Sequence, residues 1–159
     1  MQYAKTTEVS AEKSRAEIER TLQRYGATGF IYGWDENRAV VGFKMNNRQI
    51  KFVLEMPDRN DPKFARTPAR RQMRTPEQHL QAWEQATRQR WRALALAVKA
   101  KLEAVEAGIA TFEQEFMAHI VLPSGETVGQ WMSPQIQAAY ESGTMPKLLP
   151  AIGEASFEN

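Results

Sequence analysis

Two kinds of side chain stand out by type and spacing, flat aromatic rings and cations. Phe30, Tyr32 and Trp34 alternate along one short run, and Lys44 and Lys51 follow soon after. Arg66, Arg70, Arg71 and Arg74 crowd together further on, and Arg88, Arg92 and Lys99 recur at i, i+4 and i+11. Rings stack on unpaired bases and cations neutralise phosphates. The chemistry this set could do is therefore the binding of a single-stranded polyanion, not the making of bonds.

Bond making would need a constellation that the chain lacks. There is no G-x-x-x-x-G-K-S/T, no G-x-G-x-x-G, no G-x-S-x-G and no H-E-x-x-H. Glu115 and His119 lie at i, i+4 and could share a metal ion, but one carboxylate and one imidazole are too few. An intrahelical pair is the plainer reading. His79 has no carboxylate pattern beyond Glu77 and Glu84. With no cysteine there is no disulfide, thiol nucleophile or thiolate metal site. The expectation is a protein without catalytic residues, metal or cofactor, and not an enzyme.

The chain has 159 residues, 42% hydrophobic and 25% charged, which suits one domain, 1–159, with a real core. No run of about 18 apolar residues is present, so no membrane span is expected. The N-terminus has no apolar stretch of the secretory kind, and a cytoplasmic location is expected. The net charge of +2 hides an asymmetry. Residues 61–101 carry ten basic and three acidic side chains, and residues 102–159 carry one basic and eight acidic. The basic block suits a polyanion. Equally, the two parts could pack on each other within one chain or between neighbours, and head-to-tail contacts would close a ring or run on as a filament.

The elements that must position these residues read as α+β. Residues 1–9 look like a flexible start, Ser10 or Ser14 can cap a first helix, and Ile18, Leu22 and Tyr25 recur at helical spacing until Gly26. Three strands follow at 28–34, 38–45 and 48–55, an antiparallel meander. Asn46-Asn47 reads as a type I′ turn that pairs Met45 with Arg48, Phe43 with Ile50 and Val41 with Phe52. A long helix starts at the capping signal Thr75-Pro76-Glu77-Gln78 and runs to about residue 107. Leu80, Trp83, Trp91, Leu94, Val98, Leu102, Val105 and Ile109 form its apolar stripe. A second helical signal follows at Thr111, then a short extended stretch at 120–122, a turn, a last short helix from Ser133, and a C-terminal tail over 143–159, apolar from Met145 to Ile152.

Period-two alternation places Ile31, Gly33, Ala39, Val41, Phe43, Met45, Ile50, Phe52 and Leu54 on the core face. The opposite face then carries Phe30, Tyr32, Trp34, Arg38, Lys44 and Lys51, a platform of rings and cations, unless a helix or neighbouring subunit covers it. Residues 56–75, with Pro57, Pro62 and Pro68, read as a basic loop. It is either an arginine arm that orders on a phosphate backbone or a solvated tether.

Residues 83–109, WEQATRQRWRALALAVKAKLEAVEAGI, resemble small proteins of tailed bacteriophages and prophages, a family without characterised activity. So do RYGATGFIYGW, RAVVGFKMNNRQIKF and IVLPSGETVGQWM. That resemblance implies a phage origin and a bacterial host cell. A helix, a three-stranded meander and a long helix are also similar in arrangement to the core of single-strand annealing proteins. That likeness implies ring formation and a basic groove between sheet and helix, matched here by Lys44, Lys51, Arg88 and Arg92. The expected function is binding or annealing of single-stranded DNA in phage recombination. The alternative is a phage module that inhibits or redirects a host enzyme or defence complex, with the acidic C-terminal third imitating nucleic acid.

Overall fold

The computed structural model describes residues 2–35, 37–69 and 71–145, with side chains from residue 11 onward. Neither glycine nor proline interrupts the sequence from residue 2 to 24, and helix α1 spans Gln2–Arg24 without a break. The stretch 2–9 is thus helical and not a loose start, and Ser14 lies inside the helix instead of capping it. Gly26 ends the helix in a left-handed conformation, φ +100°, and the Ala27 N–H bonds back to the Leu22 carbonyl at 2.9 Å.

Strands β1 (Gly29–Trp34), β2 (Arg38–Met45) and β3 (Arg48–Glu55) form one antiparallel sheet in the order β1-β2-β3. Asn46 and Asn47 take φ of +50° and +59°, the primed turn their side chains tolerate. Met45 faces Arg48, Phe43 faces Ile50 and Val41 faces Phe52, as the turn requires.

The first hairpin differs from expectation. The Asp35 N–H donates to the Arg38 carbonyl at 2.8 Å, so Asp35 and Arg38 oppose each other and two residues separate them, not three. That single step moves every β1 side chain to the other face. Tyr32 now faces Val41, Phe30 faces Phe43 and Trp34 faces Ala39, all on the core side. Ile31 points outward, is 70% exposed and lies across Gly42, where a Cβ would come within 2.8 Å of its side chain. The outer face therefore has no ring on it among the described residues.

Residues 56–75 are folded, not a bare tether. Asp61 caps a 3₁₀ turn, Pro62–Phe64, that buries Phe64. Arg66 and Met73 form a β-bridge, the Thr67 N–H donates to Gln72 O at 2.9 Å, and the Arg74 N–H donates to Ala65 O at 2.8 Å. Arg74 also gives its guanidinium to the Phe64 carbonyl at 3.2 Å. Arg71 closes the bend at φ +49°. Arg70 lies outside the described residues.

Helix α2, Pro76–Glu106, begins at the expected capping box, in which Thr75 and Gln78 satisfy each other's backbone N–H. α3 (Phe112–Phe116) has the same device at Thr111 and Gln114. Ile120 then bridges Ile50, and the Val121 N–H donates to Gln49 O, so this stretch covers the β3 edge. α4 spans Val128–Ser142, starting five residues before Ser133 because Thr127 and Gln130 make a third capping box. None of its residues is buried, and Trp131, Ile136 and Tyr140 are exposed. Gly143 ends it at φ +70°. The expected apolar tail lies outside the described residues from Pro146 on.

The layers follow from what is buried. Ile18 and Leu22 of α1, and Trp91, Leu94, Val98 and Leu102 of α2, pack on Ala39, Val41, Phe43, Ile50 and Phe52 of the sheet. Phe116 is completely buried and meets Phe43 and Phe52 edge-on, with centroids at 5.8 and 6.4 Å. The result is an α+β fold with its helices on one sheet face. No described helix is long and apolar enough to cross a membrane.

Glu115 and His119 do not act together. The Glu115 carboxylate meets Lys101 Nζ at 3.4 Å, while His119 falls in a 3₁₀ turn and stacks on Phe52 at 4.1 Å. Burial, helped by the Lys101 charge, holds the His119 pKa below its ordinary 6.5. On acidification the unfolded chain therefore takes up this proton before the folded one, and stability falls as pH drops from the ordinary value toward the depressed one. Urea midpoints are expected to fall less for His119→Gln than for the parent between about pH 7.5 and about pH 5. Equal falls would contradict this.

Candidate functional site

α1 and α2 lie side by side and run in the same direction. Ile18 and Leu22 turn one α1 face inward, which leaves Lys13, Glu17, Arg20 and Arg24 on the exposed side. In α2 the burial of Trp91, Leu94 and Val98 does the same for Arg88, Arg92 and Lys99. The two sets line one groove. Lys13, Glu17, Arg88 and Arg92 bound a cavity of about 420 Å³ at one end, and Glu17, Arg20, Arg24 and Lys99 bound about 380 Å³ at the other. Glu17 belongs to both, and from Lys13 to Arg24 the α1 cations extend over roughly 16 Å at 1.5 Å per residue.

Its electrostatics are lopsided. Six cations face one carboxylate, and none of the six has an ion pair within 4.0 Å among the described residues. Arg24 rests near the Tyr25 ring, 5.7 Å from its centroid. Cations on rigid helices without a nearby counter-charge raise the local positive potential, which favours anions.

The other anticipated residues are scattered around this groove. Lys44 and Lys51 lie on the outer sheet face, with the sheet between them and Arg88 and Arg92, so no single groove unites those four. Lys51 is committed to the Gly125 carbonyl at 2.9 Å. Arg66, Arg71 and Arg74 stay with their folded loop.

Tyr32 is not an open platform. The Arg15 guanidinium sits 3.9 Å above its ring, Trp91 lies 5.5 Å away, and burial raises the phenol's pKa despite the nearby positive charge. Trp34, by contrast, is 72% exposed. Beside it the Asp35 carboxyl is held below its ordinary pKa by hydrogen bonds from the backbone N–H groups of Asn37 and Arg38.

Lys13, Arg20 and Arg24 escaped notice in the sequence although their signal is plain. They stand at i, i+7 and i+11, opposite Ile18 and Leu22, and mirror the stripe of α2. Comparison of the chain with family models, characterised proteins and solved structures returns no match of any of the three kinds. Among the described residues no three His, Asp or Glu side chains come together in a way that could hold a metal ion.

Proposed function

We propose that the protein binds single-stranded nucleic acid, without catalysing a reaction on it, along the groove between α1 and α2. The observation that carries this reading is the groove's unpaired charge, six cations against Glu17. Each phosphate that lodges there releases condensed counterions, which supplies affinity without base recognition. The preference for a single strand rests on the exposed Trp34 indole, a surface that unstacked bases can use and a closed duplex cannot. The resemblance to phage proteins and to annealing proteins agrees with a place in phage DNA recombination.

Fluorescence anisotropy with labelled single- and double-stranded oligonucleotides, titrated at low and high salt, tests the reading. Salt-sensitive binding that favours the single strand is expected. Absence of binding at low salt would sink it.

A second reading, a module that docks on a host protein, rests on α4, whose exposed Trp131, Ile136 and Tyr140 lie on a helix with no buried residue. It requires that Trp131→Ala with Tyr140→Ala abolish capture of a protein from nuclease-treated host lysate. On the first reading the same pair leaves oligonucleotide affinity unchanged.

A further inference from the structure

A cavity of about 430 Å³ lies apart from the cationic groove. It opens between the first half of α2, the end of β1 and residues 11–15 of α1. Its walls are unusual in carrying four rings, Tyr32, Trp34, Trp83 and Trp91. Two of these are spoken for by packing, since Tyr32 and Trp91 lie against each other and Arg15 covers the Tyr32 face. Trp83 is fixed in orientation, because its indole N–H donates to the Pro57 carbonyl at 2.8 Å. Among the described residues, Trp34 alone of the four rings is largely exposed, at the lip.

The ligand chemistry follows from what is already satisfied. A cationic ligand would sit beside the Arg15 guanidinium, which already occupies the Tyr32 face. The two carboxylates that line the cleft are engaged: Glu12 is within 4.0 Å of Arg15, and Asp35 serves Arg38 and two backbone N–H groups. The buried Glu84 carboxylate is not part of the lining. What is spare is of the opposite kind. Arg15 brings several donors, its Nε–H is buried without an acceptor, and its one described ion-pair partner is the distant Glu12 oxygen. A flat ligand edged with acceptors meets both the rings and these donors, and a nucleobase has that form.

We infer that this cleft takes one unstacked nucleobase, laid on the Trp34 indole with its acceptor edge toward the Arg15 guanidinium. The inference deepens the single-strand reading and rests on it for the source of the base, while the cleft itself makes no use of phosphate. A bound strand would then carry its charge in the helical groove and lodge one base at the sheet end.

Two strands of equal length, one of them abasic throughout, separate the contributions. The abasic strand keeps every phosphate, so the parent protein is expected to bind the base-bearing strand about ten- to a hundredfold more tightly. Trp34→Ala should lose that difference, Trp34→Phe should keep most of it, and neither should change the salt dependence, because neither substitution removes a cation from the groove. Trp34 is largely exposed, so both variants are expected to melt like the parent. Equal affinity of the parent and Trp34→Ala for the base-bearing strand would overturn the inference. If neither strand binds, it is the groove that has failed. The cleft is then tested with free deoxyguanosine, which has no phosphate: saturable quenching of tryptophan fluorescence, weaker in affinity for Trp34→Ala, sustains it, and no quenching overturns it.

Discussion

Replacing Arg88, Arg92 and Lys99 together with alanine is expected to flatten the dependence of log K on log salt by about 2 for a single strand, at roughly 0.7 for each phosphate left without its cation. Affinity at moderate salt should drop as well. Exposed charge pairs are worth about 0.2–1 kcal/mol each, so three of them amount to roughly three- to a hundredfold. The fold should be untouched, because none of the three is buried or tied to another described side chain by an ion pair. Arg71→Ala is the matched control, an exposed cation from the same basic block that lies outside the groove. Its slope should equal the parent's. A triple variant with an unchanged slope would remove α2 from the interface.

The largest stability effect belongs to the other end of the molecule. Phe116→Ala empties a site that is fully buried, where the ring touches Phe43, Phe52 and Phe112. Loss of a buried phenylalanine typically costs about 3–5 kcal/mol through lost transfer energy and the cavity left behind. That is a large share of the whole stability of a domain this size. Phe116 also leads into the turn that carries His119 and Ile120 and packs on Phe52, on which His119 stacks, so the cover on the β3 edge should loosen with it. Chemical denaturation measures the loss, and a cost under about 1 kcal/mol would show that the site collapses to fill the space. Oligonucleotide binding by whatever remains folded should persist, since the groove lies across the helices from this cluster.

The sequence displayed the elements better than their orientation. Three capping boxes share one form, threonine followed at the third residue by glutamine, yet Thr127-Val128-Gly129-Gln130 went unread because Ser133-Pro134 offered a competing start. The Asn46-Asn47 turn fixed its own register, because two consecutive residues at positive φ permit one hairpin geometry. The link at 35–37 has no such marker, and a difference of one residue there exchanged the two faces of β1. That exchange dissolved the expected mixed platform. It sent Tyr32 inward and left Ile31 outside, an outcome that hydrophobicity alone does not favour.

The candidate site was half legible. Arg88, Arg92 and Lys99 stood out as a stripe, but a stripe on one helix says nothing of what lies beside it. That α1 would lie alongside in the same direction, bringing Lys13, Arg20 and Arg24 across the gap, is a matter of tertiary packing. The order inside the loop at 56–75 was illegible for a related reason. Its order comes from short-range hydrogen bonds of Asp61, Thr67 and Arg74 and from burial of Phe64, and none of these has a periodic signature.

The most direct test of the account is where a strand lies on the protein. Backbone amide chemical shifts of isotope-labelled protein, followed during titration with a short oligo-dT, would report it residue by residue. Binding along the groove should give saturable changes along residues 13–24 and 88–99, diminishing as salt is raised. Changes confined to the outer sheet face around Ile31, Lys44 and Val53, or to the loop at 62–74, would contradict it.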